Sequence, residues 1–136
     1  MHLYRSIVLA IVVLWSSIAF AGVTEAEFRS QLPGRWHFSH SNDGVTISGT
    51  STYSEDGHVT YEGTISVGEE VLPLFMEGDW NIKGDKFSVK ITRSSLPEVF
   101  PVDSVQVDTV ITIDETSYMY VGSSGTQYTE KRLATP

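Results

Sequence analysis

The chain contains no cysteine. No disulfide can staple the fold, and no thiolate can act as a nucleophile or hold a metal. Positive charge is scarce: 9 Lys and Arg stand against 17 Asp and Glu, a formal net charge of −8. Such a balance repels the phosphate backbone, so nucleic acid is not an expected partner, and an anionic lipid surface is disfavoured for the same reason. Proline is sparse at five residues, two of which, Pro97 and Pro101, bracket a single loop. Beyond residue 20 the chain has no apolar run long enough to span a membrane.

The one long apolar run stands at the start. Met1 to Arg5 carries one positive charge, and Ile7 to Trp15 is apolar throughout. Ala19-Phe20-Ala21 supplies small residues at −3 and −1 of a cleavage site before Gly22. The run falls short of the ~20 apolar residues of a membrane helix. Residues 1–21 are therefore expected to be a secretory signal peptide, with an uncleaved anchor as the alternative. No cysteine follows, which rules out a bacterial lipoprotein anchor. Residues 22–136 form the expected single domain, secreted (periplasmic if the source is bacterial), with no stable membrane insertion after signal cleavage. The roughly 115 residues left suffice for one modest core held by burial alone.

What that domain does contain is one alternation, repeated. Thr24-Glu25-Ala26-Glu27 reads as a capping box, and Phe28 and Leu32 share a face of the short helix that follows. Pro33-Gly34 ends it. A helix this short holds only by docking on something larger. From Arg35 the period becomes two. Trp36, Phe38 and His40 share one face of the first strand, and Arg35, His37 and Ser39 the other. Val45 to Tyr53, Val59 to Val67, Val71 to Ile82 and Phe87 to Ile91 continue the pattern, separated by turns at Asp43-Gly44, Glu55-Asp56-Gly57, Gly68-Glu69-Glu70 and Lys83-Gly84-Asp85. Val105, Val107, Thr109, Ile111 and Ile113 give a further strand by the same alternation, followed by Tyr118 to Val121 and Gln127 to Leu133. Pro73 cannot donate to a ladder and places the start of its segment at an edge or bulge.

Short strands at this spacing predict a sandwich or a barrel. Every connection except Ser95–Asp103 is hairpin-sized, so neighbours in sequence become neighbours in space. Closing such a sheet removes its exposed edges. The expected fold class is all-β: an antiparallel up-and-down meander barrel of about eight strands with a short N-terminal helix.

The helix, then Gly34-Arg35-Trp36 opening the first strand, then a meander, together resemble the lipocalin-like (calycin) barrels, in their compact bacterial secreted form. The resemblance implies structural roles for Gly34, Trp36 and Arg132: the indole closes one end, and the basic residue near the end of the last strand packs on it, a cation–π contact of ~0.5–2 kcal/mol. It also implies a barrel that binds a small hydrophobic or amphipathic molecule. An eight-stranded barrel is just wide enough either to be filled by side chains or to hold one ligand.

Candidate chemistry outside that reading is thin. His37 and His40 lie three apart on a strand and face opposite sides, so they cannot chelate one ion; no metal site and no cofactor are expected. Gly122-Ser123-Ser124-Gly125 lacks the G-x-S-x-G spacing of a nucleophile elbow and reads as a hairpin. Glu77 and Asp79 share a parity opposite Met76 and Trp80, which puts them on a solvated face. The apolar set Tyr53, Tyr61, Met76, Trp80, Phe87, Ile91, Tyr118 and Tyr120 is large for so small a core, and tyrosine offers a ring wall with a polar tip. Phe100, in the loop Leu96–Pro101, joins it as a lid residue, a hook for a partner protein, or plain core packing.

The expected function is non-catalytic binding of a small hydrophobic or amphipathic molecule, with those nine residues as the ligand-binding set. The alternative is a solid-cored interaction or inhibitor module that docks an envelope protein through the Leu96–Pro101 loop. A third reading, catalysis by a carboxylate or tyrosine inside the barrel, requires two inward titratable groups within hydrogen-bond reach.

Overall fold

A computed structural model describes residues 23–134; the expected signal peptide, residues 1–21, lies outside the described residues. One short helix precedes eight antiparallel strands that close into an up-and-down barrel in the order β1-β2-β3-β4-β5-β6-β7-β8. Helix α1 spans Glu25–Gln31, and the Thr24 hydroxyl accepts the Glu27 amide at 3.1 Å as its N-cap. The strands are β1 (Gly34–Asn42), β2 (Val45–Tyr53), β3 (His58–Val67), β4 (Glu70–Lys83), β5 (Lys86–Ser94), β6 (Val105–Ile113), β7 (Ser117–Val121) and β8 (Gln127–Arg132).

Helix α1 closes one end of the barrel. Its buried Phe28 packs against Phe87 at 5.1 Å between ring centroids, and at longer range against Tyr118 and Trp80. Arg29 ties the helix to the wall through the Asn81 side chain and the Ile82 carbonyl, both at 2.9 Å. Trp36 is 0% exposed. Its ring nitrogen donates to the Leu32 carbonyl at 2.8 Å, so the indole is both packed and satisfied.

The wall is uneven. Strands β1 to β4 pair along nearly their whole length. Strand β5 joins β4 only from Met76 onward, so Glu70–Phe75, with Pro73, has a strand partner in β3 alone. That is where a residue without an N–H is tolerated. At the centre of β2 and β3, Gly49 and Gly63 face each other so closely that a Cβ on either would lie 2.1 or 1.9 Å from a backbone oxygen of the other strand.

One alternation is not what the sequence suggests. Val105 and Val107 are 57% and 48% exposed and Ile111 is exposed too, while Val110 is buried. The cause is a register shift in the β6–β7 ladder, which passes from Val110↔Tyr120 to Thr112↔Met119 and leaves Ile111 as the extra residue of a bulge. Before the bulge the even-numbered residues face inward, and after it Ile113 does. Asp108 is thereby carried inside.

Candidate functional site

The end opposite the helix is open. The cavity there has a volume of about 520 Å³, within the range of small-molecule sites. Seven of the nine residues expected to bind ligand line it: Tyr53, Tyr61, Met76, Phe87, Phe100, Tyr118 and Tyr120. Trp80 and Ile91 do not. Trp80 sits at the closed end against Phe28 and donates its ring N–H to the Ser54 carbonyl at 3.0 Å. Ile91 is buried in the core where the long loop rejoins β5, its amide donating to the Ser104 carbonyl at 2.9 Å.

The loop between β5 and β6 is pinned at its base. Ser95 donates to the Phe75 carbonyl at 2.8 Å, and the Ser95 hydroxyl accepts the Phe75 amide at 2.9 Å. At the other end the Asp103 amide reaches the Ile91 carbonyl at 2.8 Å. Between these anchors a turn brings Phe100 onto the cavity rim, while Val99 and Val102 remain exposed.

Several lining groups are polar. Glu130 of β8 is 4% exposed. Its Oε2 accepts the Tyr118 hydroxyl at 2.8 Å, and no hydrogen bond of good geometry reaches Oε1 or the buried hydroxyl of Ser51. Burial pushes Glu130 up to about 7; the hydroxyls of Tyr120, Tyr118 and Ser51 oppose that rise, and the charge of Asp108 adds to it. Asp108 is itself pushed up to about 6 by burial. Tyr53, Tyr61, Tyr118 and Tyr120 are all raised, chiefly by burial. They are neutral hydroxyls at any ordinary pH.

His40 fills a seam. Strands β1 and β8 pair at Trp36↔Arg132 and His37↔Lys131, and no further ladder pair joins them among the described residues. The imidazole of His40 lies 4.2 Å from the Tyr128 ring centroid and shares a 3.0 Å hydrogen bond with the Tyr120 hydroxyl. Burial lowers its pKa, so it is neutral near pH 7. Among the described residues no group of three His, Asp or Glu is placed to hold a metal ion. Glu77 and Asp79 meet Arg93 and His58 at 3.6 and 3.8 Å on the outer face.

Sequence reasoning passed over Glu130, Asp108 and Ser51. Glu130 had a signal: it shares the parity of Tyr128 and Arg132, and a residue that caps the indole must face inward. Asp108 had none, because the bulge that turns it inward leaves no mark on the apolar pattern.

Fold and site together define a closed eight-stranded up-and-down barrel with a helix over one end and a polar-based cavity at the other, an architecture consistent with a calycin-like fold. Set beside known proteins, the chain matches no family model and no curated protein.

Proposed function

We propose that this is a secreted, lipocalin-like binding protein that holds one small hydrophobic or amphipathic molecule in the open end of its barrel without transforming it. The observation that carries the reading is the cavity itself, about 520 Å³, walled by aromatic and aliphatic side chains and floored by a few polar groups. That is the usual make-up of a small-molecule site. The signal-like run of residues 1–21 supports export, to the periplasm if the source is bacterial. The test is titration with a neutral lipophilic fluorophore such as N-phenyl-1-naphthylamine. One site per chain is expected, and Met76→Trp, which fills the cavity from β4, should abolish it while cooperative unfolding persists. Absence of saturable binding by the wild-type protein would falsify the reading.

A second reading rests on Glu130 and Tyr118, two inward titratable groups 2.8 Å apart. A carboxyl raised to about 7 suits general acid–base work near neutrality. Against it, the pKa values of the neighbouring Tyr53, Tyr118 and Tyr120 are raised further from 7, so none of them can act as a base there. Turnover of bound esters or amides that vanishes in Glu130→Gln would favour catalysis over carriage.

A further inference from the structure

We infer that the molecule taken by the barrel carries a protonated amine, whose ammonium group pairs with the two carboxylates of the cavity lining, Glu130 and Asp108. The inference rests on the cavity reading above and specifies its cargo. Glu130 is buried; its Oε2 accepts the Tyr118 hydroxyl, and no hydrogen bond of good geometry reaches Oε1, although the Ser51 and Tyr120 hydroxyls lie near the carboxyl and no positive charge does. An unpaired buried carboxylate is costly, and a cation in contact offsets that cost more fully than a neutral donor.

Charge balance argues the same way. The cavity lining holds two carboxylates and neither lysine nor arginine, and its one imidazole, His40, is neutral near pH 7 because burial lowers its pKa. An anionic ligand would meet only like charge there. A neutral alcohol would leave both acids uncompensated once ionised. The rings beside the carboxylates, Tyr53, Tyr118 and Tyr120 among them, present faces and edges suited to an organic cation. The net charge of −8 draws cations toward the molecule as a whole.

Asp108 adds a second feature. It belongs to the part of β6 that pairs with β5 alone. A Cβ on Gly122, across the gap at the β7–β8 turn, would lie 3.8 Å from its Oδ1. Asp108 thus stands where β6 is not paired with β7, and Glu130 on β8 just past its last pair with β1; both line the cavity. Both have raised pKa values, so an arriving ammonium displaces protons from them.

The test is calorimetry on the intact protein with 2-phenylethylamine, 2-phenylethanol and 3-phenylpropanoate, alongside the neutral fluorophore. At about pH 8 the amine should bind about tenfold or more tightly than the alcohol, and the acid should not bind measurably. At about pH 6 amine binding should release close to one proton, read from its dependence on buffer ionisation enthalpy. Glu130→Gln should erase the amine's advantage over the alcohol. Asp108→Asn should reduce the advantage and the proton release together. If the fluorophore binds while amine and alcohol bind equally, the ammonium assignment is wrong and the container stands. If neither fluorophore nor amine binds, both fall.

Discussion

The guanidinium of Arg132 lies over the indole of Trp36, its central carbon 4.2 Å from the ring centroid. The same side chain donates to three backbone carbonyls: Glu115 at 2.7 Å, Pro33 at 3.0 Å, and Gln31. One residue on the last strand therefore fixes the end of the helix, the entry to β1 and the β6–β7 turn at once. Gly34 makes room for it. Its φ is +133°, and a Cβ there would lie 2.6 Å from Arg132 Nη1.

Trp36→Ala should cost ~3–5 kcal/mol in a urea titration, enough to unfold a domain of ordinary stability. Arg132→Lys keeps the charge but loses the planar fork, and should cost about 1–3 kcal/mol. If lysine proves equivalent, Arg132 acts as a point charge, and the forked contact to three carbonyls counts for little.

At Gly49 and Gly63, strands β2 and β3 leave no room for a Cβ. Gly49→Ala and Gly63→Ala each drive a methyl into backbone, which cannot swing aside as a flexible side chain would. Each should cost about 3 kcal/mol, the upper end of overpacking penalties, or more. A melting temperature unchanged by either substitution would show that β2 and β3 separate easily at this point.

Stability should decline as pH rises from about 4.5 to 8. Glu130 is pushed up to about 7 when folded, against about 4.3 for an ordinary glutamate. Between those values the native protein keeps a proton that the unfolded chain has released. The stabilisation is full below the lower value and is lost as pH passes the upper one. The groups that act on Glu130 are Ser51 and Tyr53 from β2, Tyr61 from β3, Asp108 from β6 and Tyr118 and Tyr120 from β7, and the neutral His40 of β1 lines the same cavity. None of them is a positive charge that would hold the carboxylate low. The expected loss is on the order of 3 kcal/mol, and Asp108 acts in the same direction. Asp56 and Asp114, held low by hydrogen bonds within their turns, act oppositely at more acidic pH. Chemical denaturation of wild type and Glu130→Gln across this window checks the slope, which the variant should largely flatten.

The meander was legible because each hairpin carried its own turn residues and each strand its own alternation. The plug was legible because Trp36 and Arg132 mark the two ends of one closed ladder. Alternation tells which side of the wall a residue faces, but not how far along the barrel axis it lies. That is why Trp80 and Ile91 face the interior yet miss the cavity. The bulge at Ile111 was beyond reach: nothing in the run from Val105 to Ile113 marks which residue loses its partner, and the apolar residues there point outward. Asp108 was hidden with it.

The loop offers a kinetic prediction. Its two ends are held by backbone bonds to Phe75 and Ile91, so the Phe100 ring is presented to the rim from a fixed base. Phe100→Ala removes only a half-buried ring and should cost about 1–2 kcal/mol of stability. Its larger effect should be on release: a bound fluorophore should dissociate roughly tenfold faster in stopped-flow, with its association rate nearly unchanged. A ring that merely hooks a partner protein would leave that dissociation rate where it was. The two roles of Phe100 therefore separate on a measurement that needs no partner at all.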